Sequence, residues 1–156
     1  MHVVVQFGRD TSVLSFDKNL SDLECIHSGS RHLLYRGERS GAAVVIKANA
    51  APSVRADASL KQEYQILRDV HLPGIVKVFG LVDTGSGVGL AMEDLDGSDL
   101  TQAFQSAPFS VALFLNIAVQ LAEALSRLHE ARIIHCDIHP GNIVWNPESE
   151  IATLCD

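Results

Sequence analysis

His135-Cys136-Asp137-Ile138-His139-Pro140-Gly141-Asn142 is the stretch on which the fold turns. An Asp and an Asn five residues apart stand in a loop, after a long amphipathic segment and before a short apolar run. An Asp so placed can accept a hydroxyl proton while an Asn amide oxygen ligates a metal, the arrangement of a phosphoryl-transfer loop. Pro140 and Gly141 let the chain turn between them. The bare spacing is common; His135, two residues before the Asp, and the flanking elements strengthen it.

Upstream, Leu113, Ile117, Leu121, Ala124, Leu125 and Leu128 recur at helical spacing. With Ser110 as N-cap and Pro108 before it, they predict a helix over 110–130 with this stripe facing the core. Downstream, a strand pair is expected around Val144 and Ala152. The first half reads as short strands: 3–7, 25–28, 33–36 and 42–47, the last two joined by a turn around Gly37 and Gly41. Leu60, Tyr64 and Leu67, with Ile66 beside them, predict a helix over 53–70. Pro73-Gly74 interrupts the chain. Strands over 75–82 and 88–93 follow, with Thr84-Gly-Ser-Gly as their turn. The order is a mostly β half carrying one helix, then a mostly α half, joined near 95–99, where Asp, Gly and Ser cluster.

Composition excludes several classes. The 156 residues are 47% hydrophobic and 20% charged, an ordinary globular balance rather than a disordered one. A net charge of −7 argues against a nucleic-acid partner or an anionic membrane surface. No uninterrupted apolar run approaches the ~18 residues of a membrane span, and the N-terminus lacks the features of a signal peptide. Cys25, Cys136 and Cys155 are odd in number and widely spaced, which fits neither a disulfide framework nor a CxxC metal pair, and suggests a reducing cytoplasm. His2, His27, His71 and His129 show no ligand spacing, and Trp145 reads as a packing residue.

Several motifs, in order, resemble the protein kinase superfamily over about 22–156. Val44-Val-Ile-Lys47 resembles the strand carrying the ATP-binding lysine, and Glu63 the glutamate of the first long helix. His71-Leu-Pro-Gly-Ile-Val is similar to the approach to the fourth strand, Leu90-Ala-Met-Glu-Asp-Leu to the hinge, and 133–142 to the catalytic loop. Asp156 falls where the metal-binding Asp of Asp-Phe-Gly would stand. Lys61-Gln-Glu-Tyr-Gln-Ile-Leu, Gly74-Ile-Val-Lys-Val-Phe-Gly-Leu and Met92-Glu-Asp-Leu-Asp-Gly-Ser-Asp-Leu resemble the serine/threonine kinase-like domain at the N-terminus of large bacterial multidomain sensor histidine kinases.

The resemblance implies an α+β kinase-like fold: an antiparallel β N-lobe with one helix, and the first part of an α-helical C-lobe. Its divisions would be an N-terminal extension or extra strand (1–20), an N-lobe (21–94), a hinge (95–99) and a C-lobe start (100–156). The implied function is transfer of the ATP γ-phosphoryl group to a protein serine or threonine in the complete protein. Lys47 would pair with the α- and β-phosphates, Glu63 would hold Lys47, and Asp137 would orient or deprotonate the acceptor hydroxyl. Asn142 and Asp156 would hold Mg²⁺. The Glu93 and Leu95 backbones would meet adenine with Met92 behind it, Asp99 would lie near the ribose, and Leu34, Val45 and Val144 would sandwich the ring. The implied partners are ATP and a protein substrate or downstream signalling domains of the same polypeptide.

Four departures qualify the resemblance. Of three glycine-loop positions, His27, Gly29 and His32, only Gly29 is glycine, which weakens backbone wrapping of the phosphates. Cys136 replaces the Arg that partners an activation-loop phosphate, so loop phosphorylation is not expected to activate this domain. His139 replaces a Lys, and Asp-Ile-His-Pro-Gly-Asn is similar to the loop of aminoglycoside and choline phosphotransferases. The final apolar Ile151-Ala-Thr-Leu-Cys-Asp156 reads as a truncation, and a weakly stable, aggregation-prone, inactive fragment is expected. Two other functions therefore stay open: a small-molecule phosphotransferase and a non-catalytic pseudokinase.

Overall fold

Ser40 and Gly41 both take the left-handed conformation, with φ of 55° and 81°. Two such residues in succession make the tight turn that matches strand twist, and here it sets the register of a sheet. In the computed structural model, residues 2–7, 10–15, 19–106 and 110–155 are described. Contacts divide them into two units, one of residues up to Asp69 with Lys77–Asp94, the other of Val70–Val76 with residues from Leu95 onward.

In the first unit, β1 (His2–Phe7) and β2 (Asp10–Ser15) form an antiparallel hairpin. The expected strand 3–7 thus has a partner that sequence reading did not foresee. Five antiparallel strands then make the main sheet: β3 (Leu20–Ser28), β4 (His32–Arg39), β5 (Ala42–Asn49), β6 (Val78–Asp83) and β7 (Val88–Glu93), in the order β3-β4-β5-β7-β6. The β4–β5 turn is Ser40-Gly41 alone. Gly37 lies inside β4, paired with Val44, where a Cβ would come within 2.7 Å of the Ser21 carbonyl oxygen on β3. One sheet face carries a core of Leu33, Tyr35, Val44, Ile46, Ala48, Val82 and Ala91. The helix α1 (Val54–Leu67) begins where the Ser53 hydroxyl accepts from the Ala56 N–H at 3.2 Å, and it buries Leu60. It stops three residues short of expectation because Val70 is buried in the other unit.

The second unit holds α2 (Leu100–Ser106), α3 (Val111–Glu130), a 3-10 turn (Pro140–Asn142) and a three-stranded antiparallel sheet. That sheet orders β10 (Ile151–Leu154), β9 (Ile143–Asn146) and β8 (Ser98–Asp99). The strand pair expected around Val144 and Ala152 is β9 with β10; the short β8 and the helix α2 are additions that sequence reading did not foresee. Ser110 caps α3 by accepting from the Leu113 N–H at 3.1 Å. Ile117, Ala124 and Leu128 are buried, the inward stripe that the spacing predicts. Length and composition alone would let α3 cross a membrane. One face packs on β10, with the Gln120 side-chain oxygen accepting from the Ala152 N–H at 2.9 Å. Its other face exposes Val111, Phe114, Leu115 and Val119. Trp145 is buried, as a packing residue should be.

The segment 70–76 joins the second unit, although sequence reading places it inside 21–94. Val76 N–H donates to the Leu154 carbonyl at 2.8 Å, and Leu154 N–H donates to that of Gly74 at 2.9 Å. Gly74 is glycine for two reasons: its φ is +81°, and a Cβ would lie 2.9 Å from Ala124 Cβ. Ile75 bridges Leu154 in parallel, so the strand expected over 75–82 starts only at Val78.

Tyr35 is fully buried, and that burial, reinforced by Cys25, pushes its phenol up to about 12. A raised folded-state value favours the neutral phenol in the fold. Its contribution is intact below the unfolded value of 10.0 and is lost as pH rises through the folded value. Tyr35→Phe should remove this loss. Urea midpoints of the two proteins should therefore diverge above pH ~10, the wild type losing up to about 3 kcal/mol more by pH ~12.

Candidate active site

Alternation along β5 places Val45 and Lys47 on one face, opposite the core face. Register brings Leu34 and Leu90 beside Lys47, and Met92 beside Val45. A one-residue slip in the Ser40-Gly41 turn would send Lys47 to the other side. Lys47 is only 4% exposed. Its Nζ lies 3.1 Å from Glu63 Oε1 and 3.0 Å from Oε2, so one carboxylate on α1 holds the ammonium with both oxygens. Burying an ammonium without such a partner costs several kcal/mol.

Gly29 lies in the β3–β4 connection, its N–H donating to the His32 carbonyl at 2.9 Å. A Cβ there would come within 2.9 Å of His27 Nε2. Met92 is buried. Glu93 is fastened to Lys77 twice: its N–H donates to the Lys77 carbonyl at 2.9 Å, and its Oε1 accepts from the Lys77 N–H at 2.7 Å. A pair that sequence reading missed closes this end of the unit. Arg36 meets Asp94 through Nη2–Oδ1 at 2.9 Å and Nε–Oδ2 at 2.6 Å. Nothing in the sequence spacing, 58 residues apart, marks the two as partners.

In the second unit, the loop at 135–142 is organised around Asn142, which is 7% exposed. Its Nδ2 donates to the Asp137 carbonyl at 3.0 Å and to Asp137 Oδ2 at 3.3 Å. Its own carbonyl accepts from the Cys155 N–H at 3.0 Å. These bonds orient the amide and leave Oδ1 as its available oxygen. The Asp137 side chain is 64% exposed. Cys136, just before it, is exposed with a φ of 63°, a left-handed conformation.

The remaining residues are placed as follows. The Leu95 carbonyl accepts from Asn146 Nδ2 at 3.0 Å, so its N–H is the group left for a ligand. Val144 on β9 pairs with Asp99 and Thr153. Asp99 is engaged at the start of α2: Oδ1 accepts from the Gln102 N–H at 3.1 Å and Oδ2 from Gln102 Nε2 at 2.6 Å. Its carboxylate therefore caps a helix. Asp99-x-x-Gln102 is a helix-start signature that could have revealed α2 in the sequence. Asp156 lies outside the described residues.

The available Asn142 amide oxygen is a hard donor of the kind that suits Mg²⁺. Among the described residues no three His, Cys, Asp or Glu cluster as a metal cage.

Comparison with known proteins follows the same outline. The protein kinase domain family matches residues 26–156. The chain is 32% identical over 142 residues to the serine/threonine-protein kinase dkf-2 of Caenorhabditis briggsae, covering 85% of this chain and 12% of that protein. It is 30% identical over 144 residues to serine/threonine-protein kinase D3 of Homo sapiens, covering 85% of this chain and 16% of that protein. It is 29% identical over 151 residues to serine/threonine-protein kinase pkn2 of Myxococcus xanthus, covering 92% and 18%. It thus spans less than a fifth of the length of these relatives. In shape it is similar to Rad53, solved in complex with AMP-PNP, with a TM-score of 0.72 and 21% identity over 92% of this chain and 38% of that one.

Removing one member of the buried pair should show how strongly the first unit depends on it. Glu63→Ala should lower stability by about 3 kcal/mol, because it strands the Lys47 ammonium. Replacing both, as Lys47→Met with Glu63→Leu, should recover most of that loss. Urea unfolding of the three proteins measures it; equal losses for the single and double variants would contradict the pairing argument.

Proposed function

The chain belongs to the protein kinase domain family, and from that premise we propose that it is the ATP-binding and catalytic-loop portion of a serine/threonine protein kinase. The observation that carries this reading is the buried Lys47 ammonium, held by both oxygens of Glu63 on a sheet face lined by Leu34, Val45 and Met92. An ammonium so held is pre-oriented for an anionic ligand beside an apolar surface, the two things a nucleotide triphosphate presents. The Glu93 backbone and the Leu95 N–H would meet adenine. Val144 would complete the apolar contact, and Gly29 would approach the phosphates. Asp99 would serve the ribose only by giving up a bond to Gln102.

In the reaction, Lys47 would bind the α- and β-phosphates and Glu63 would keep Lys47 aimed. Asp137 would orient the acceptor hydroxyl and take its proton as the oxygen bonds to the γ-phosphorus and ADP leaves. Asn142, with Asp156, would hold Mg²⁺, which neutralises charge on the phosphates when bound. Three stretches, at 61–67, 74–81 and 92–100, support a finer placement at the head of a large bacterial multidomain sensor histidine kinase. Downstream domains of the same polypeptide would then be acceptors or readers of the signal. The odd number and wide spacing of Cys25, Cys136 and Cys155 fit a reducing cytoplasm.

A second reading, transfer to a small-molecule hydroxyl, is favoured by one observation. His139 spends a ring nitrogen on the Gly141 N–H at 3.1 Å and offers no lysine ammonium beside Asp137.

Phosphoryl transfer by the full-length protein from γ-labelled ATP separates these readings. Serine or threonine labelling of protein acceptors is expected. Asp137→Asn should lower kcat by at least ~10²-fold while nucleotide affinity changes little. Labelling of aminoglycoside or choline alone would favour the second reading. Nucleotide binding without any transfer would make the domain a non-catalytic sensor.

A further inference from the structure

Two histidines in the loop use the same contact. His135 Nδ1 accepts from the Asp137 N–H at 3.4 Å, and His139 Nδ1 accepts from the Gly141 N–H at 3.1 Å. In a neutral imidazole the ring nitrogen that accepts a hydrogen bond carries no proton, so this contact selects the tautomer with its proton on Nε2. His139 does more than His135. It caps the 3-10 turn Pro140–Asn142, and its carbonyl accepts from the Asn142 N–H at 2.9 Å. Its Nε2 stands 3.8 Å from Asp137 Oδ2. That same Oδ2 accepts from Asn142 Nδ2 at 3.3 Å.

The geometry points to His139 as a positioning residue: locked in the Nε2–H tautomer by Gly141, it sets the turn that places Asn142 and directs a donor at Asp137 Oδ2. The two carboxylate oxygens of Asp137 then have different jobs. Oδ2 faces Asn142 and His139. Oδ1 is left for the acceptor hydroxyl and takes its proton as the new oxygen–phosphorus bond forms. This assignment of roles rests on the phosphoryl-transfer reading above; the tautomer does not.

The first test therefore needs no turnover. Two-bond ¹H–¹⁵N correlation spectra of the histidine-labelled protein, with His139 assigned by its loss in His139→Asn, should show Nδ1 bare and Nε2 protonated. The opposite tautomer, or rapid averaging of the two, overturns the proposal. The second test reads kinetics in the full-length protein. Asn offers an oxygen where His offers Nδ1, so His139→Asn keeps the cap and loses the distal donor. His139→Ala loses both. The expected order is wild type, then Asn about tenfold lower in kcat, then Ala about 10²-fold lower, with the KM for ATP within about twofold throughout. Equal kcat in wild type and Asn overturns the donor role, and a loss confined to KM overturns positioning. If Ala fails to fold, the comparison of wild type and Asn still decides the donor role. A wild-type protein with no transfer at all would remove the kinase reading and leave the spectrum to judge the tautomer.

Discussion

A lysine ammonium that is 4% exposed must be neutralised where it stands, and much of the first unit is arranged to do so. Lys47 reaches that position because β5 alternates, and β5 keeps its register because Ser40 and Gly41 turn the chain in two residues. Glu63 reaches it because α1 starts at Ser53 and buries Leu60 against the sheet. The same alternation sends Tyr35 and Ile46 to the opposite face, where they form the core. One strand thus supplies both the packing that stabilises the unit and the charge that the chemistry requires.

The second unit meets a different constraint. Its loop at 135–142 contains little regular structure, so its shape has to come from side-chain hydrogen bonds. Asn142 ties Asp137 back onto the 3-10 turn, and the Cys155 N–H ties Asn142 to the end of β10. Cys136 stays in a left-handed conformation that non-glycine residues adopt at some cost. Such local strain persists only where neighbouring bonds determine the backbone.

The legible parts of the sequence were those whose signal is local or periodic. The α3 stripe and its Ser110 cap, the α1 helix, and the β7 strand all follow from spacing that a single segment contains. The order of Lys47, Glu63, Asp137 and Asn142 could be read through the resemblance of their motifs to the protein kinase superfamily, whose domain matches residues 26–156. What sequence reading missed depends on distant partners. The two-residue strand β8 exists only because β9 pairs with it, and Arg36 finds Asp94 only once β4 and β7 are in place. The helix α2 was different. Its Asp99 cap was visible, but that residue had been read as a ribose contact, so a functional reading displaced a structural signal. The segment at 74–76 looked like the start of a strand because its apolar residues are buried, yet they are buried against Leu154.

That last pairing has a consequence for how the protein is made. Gly74 and Val76 leave the ribosome long before Leu154, the residue whose backbone completes them. Meanwhile β6 and β7, which follow directly, can join β5 and finish the sheet of the first unit. The nascent chain therefore passes through a stage in which Ile75 and Val76 stand as a bare apolar loop between finished elements. Contacts so far apart in sequence close slowly. Synthesis of β10, whose Leu154 bonds to Gly74 and Val76, ends that exposure.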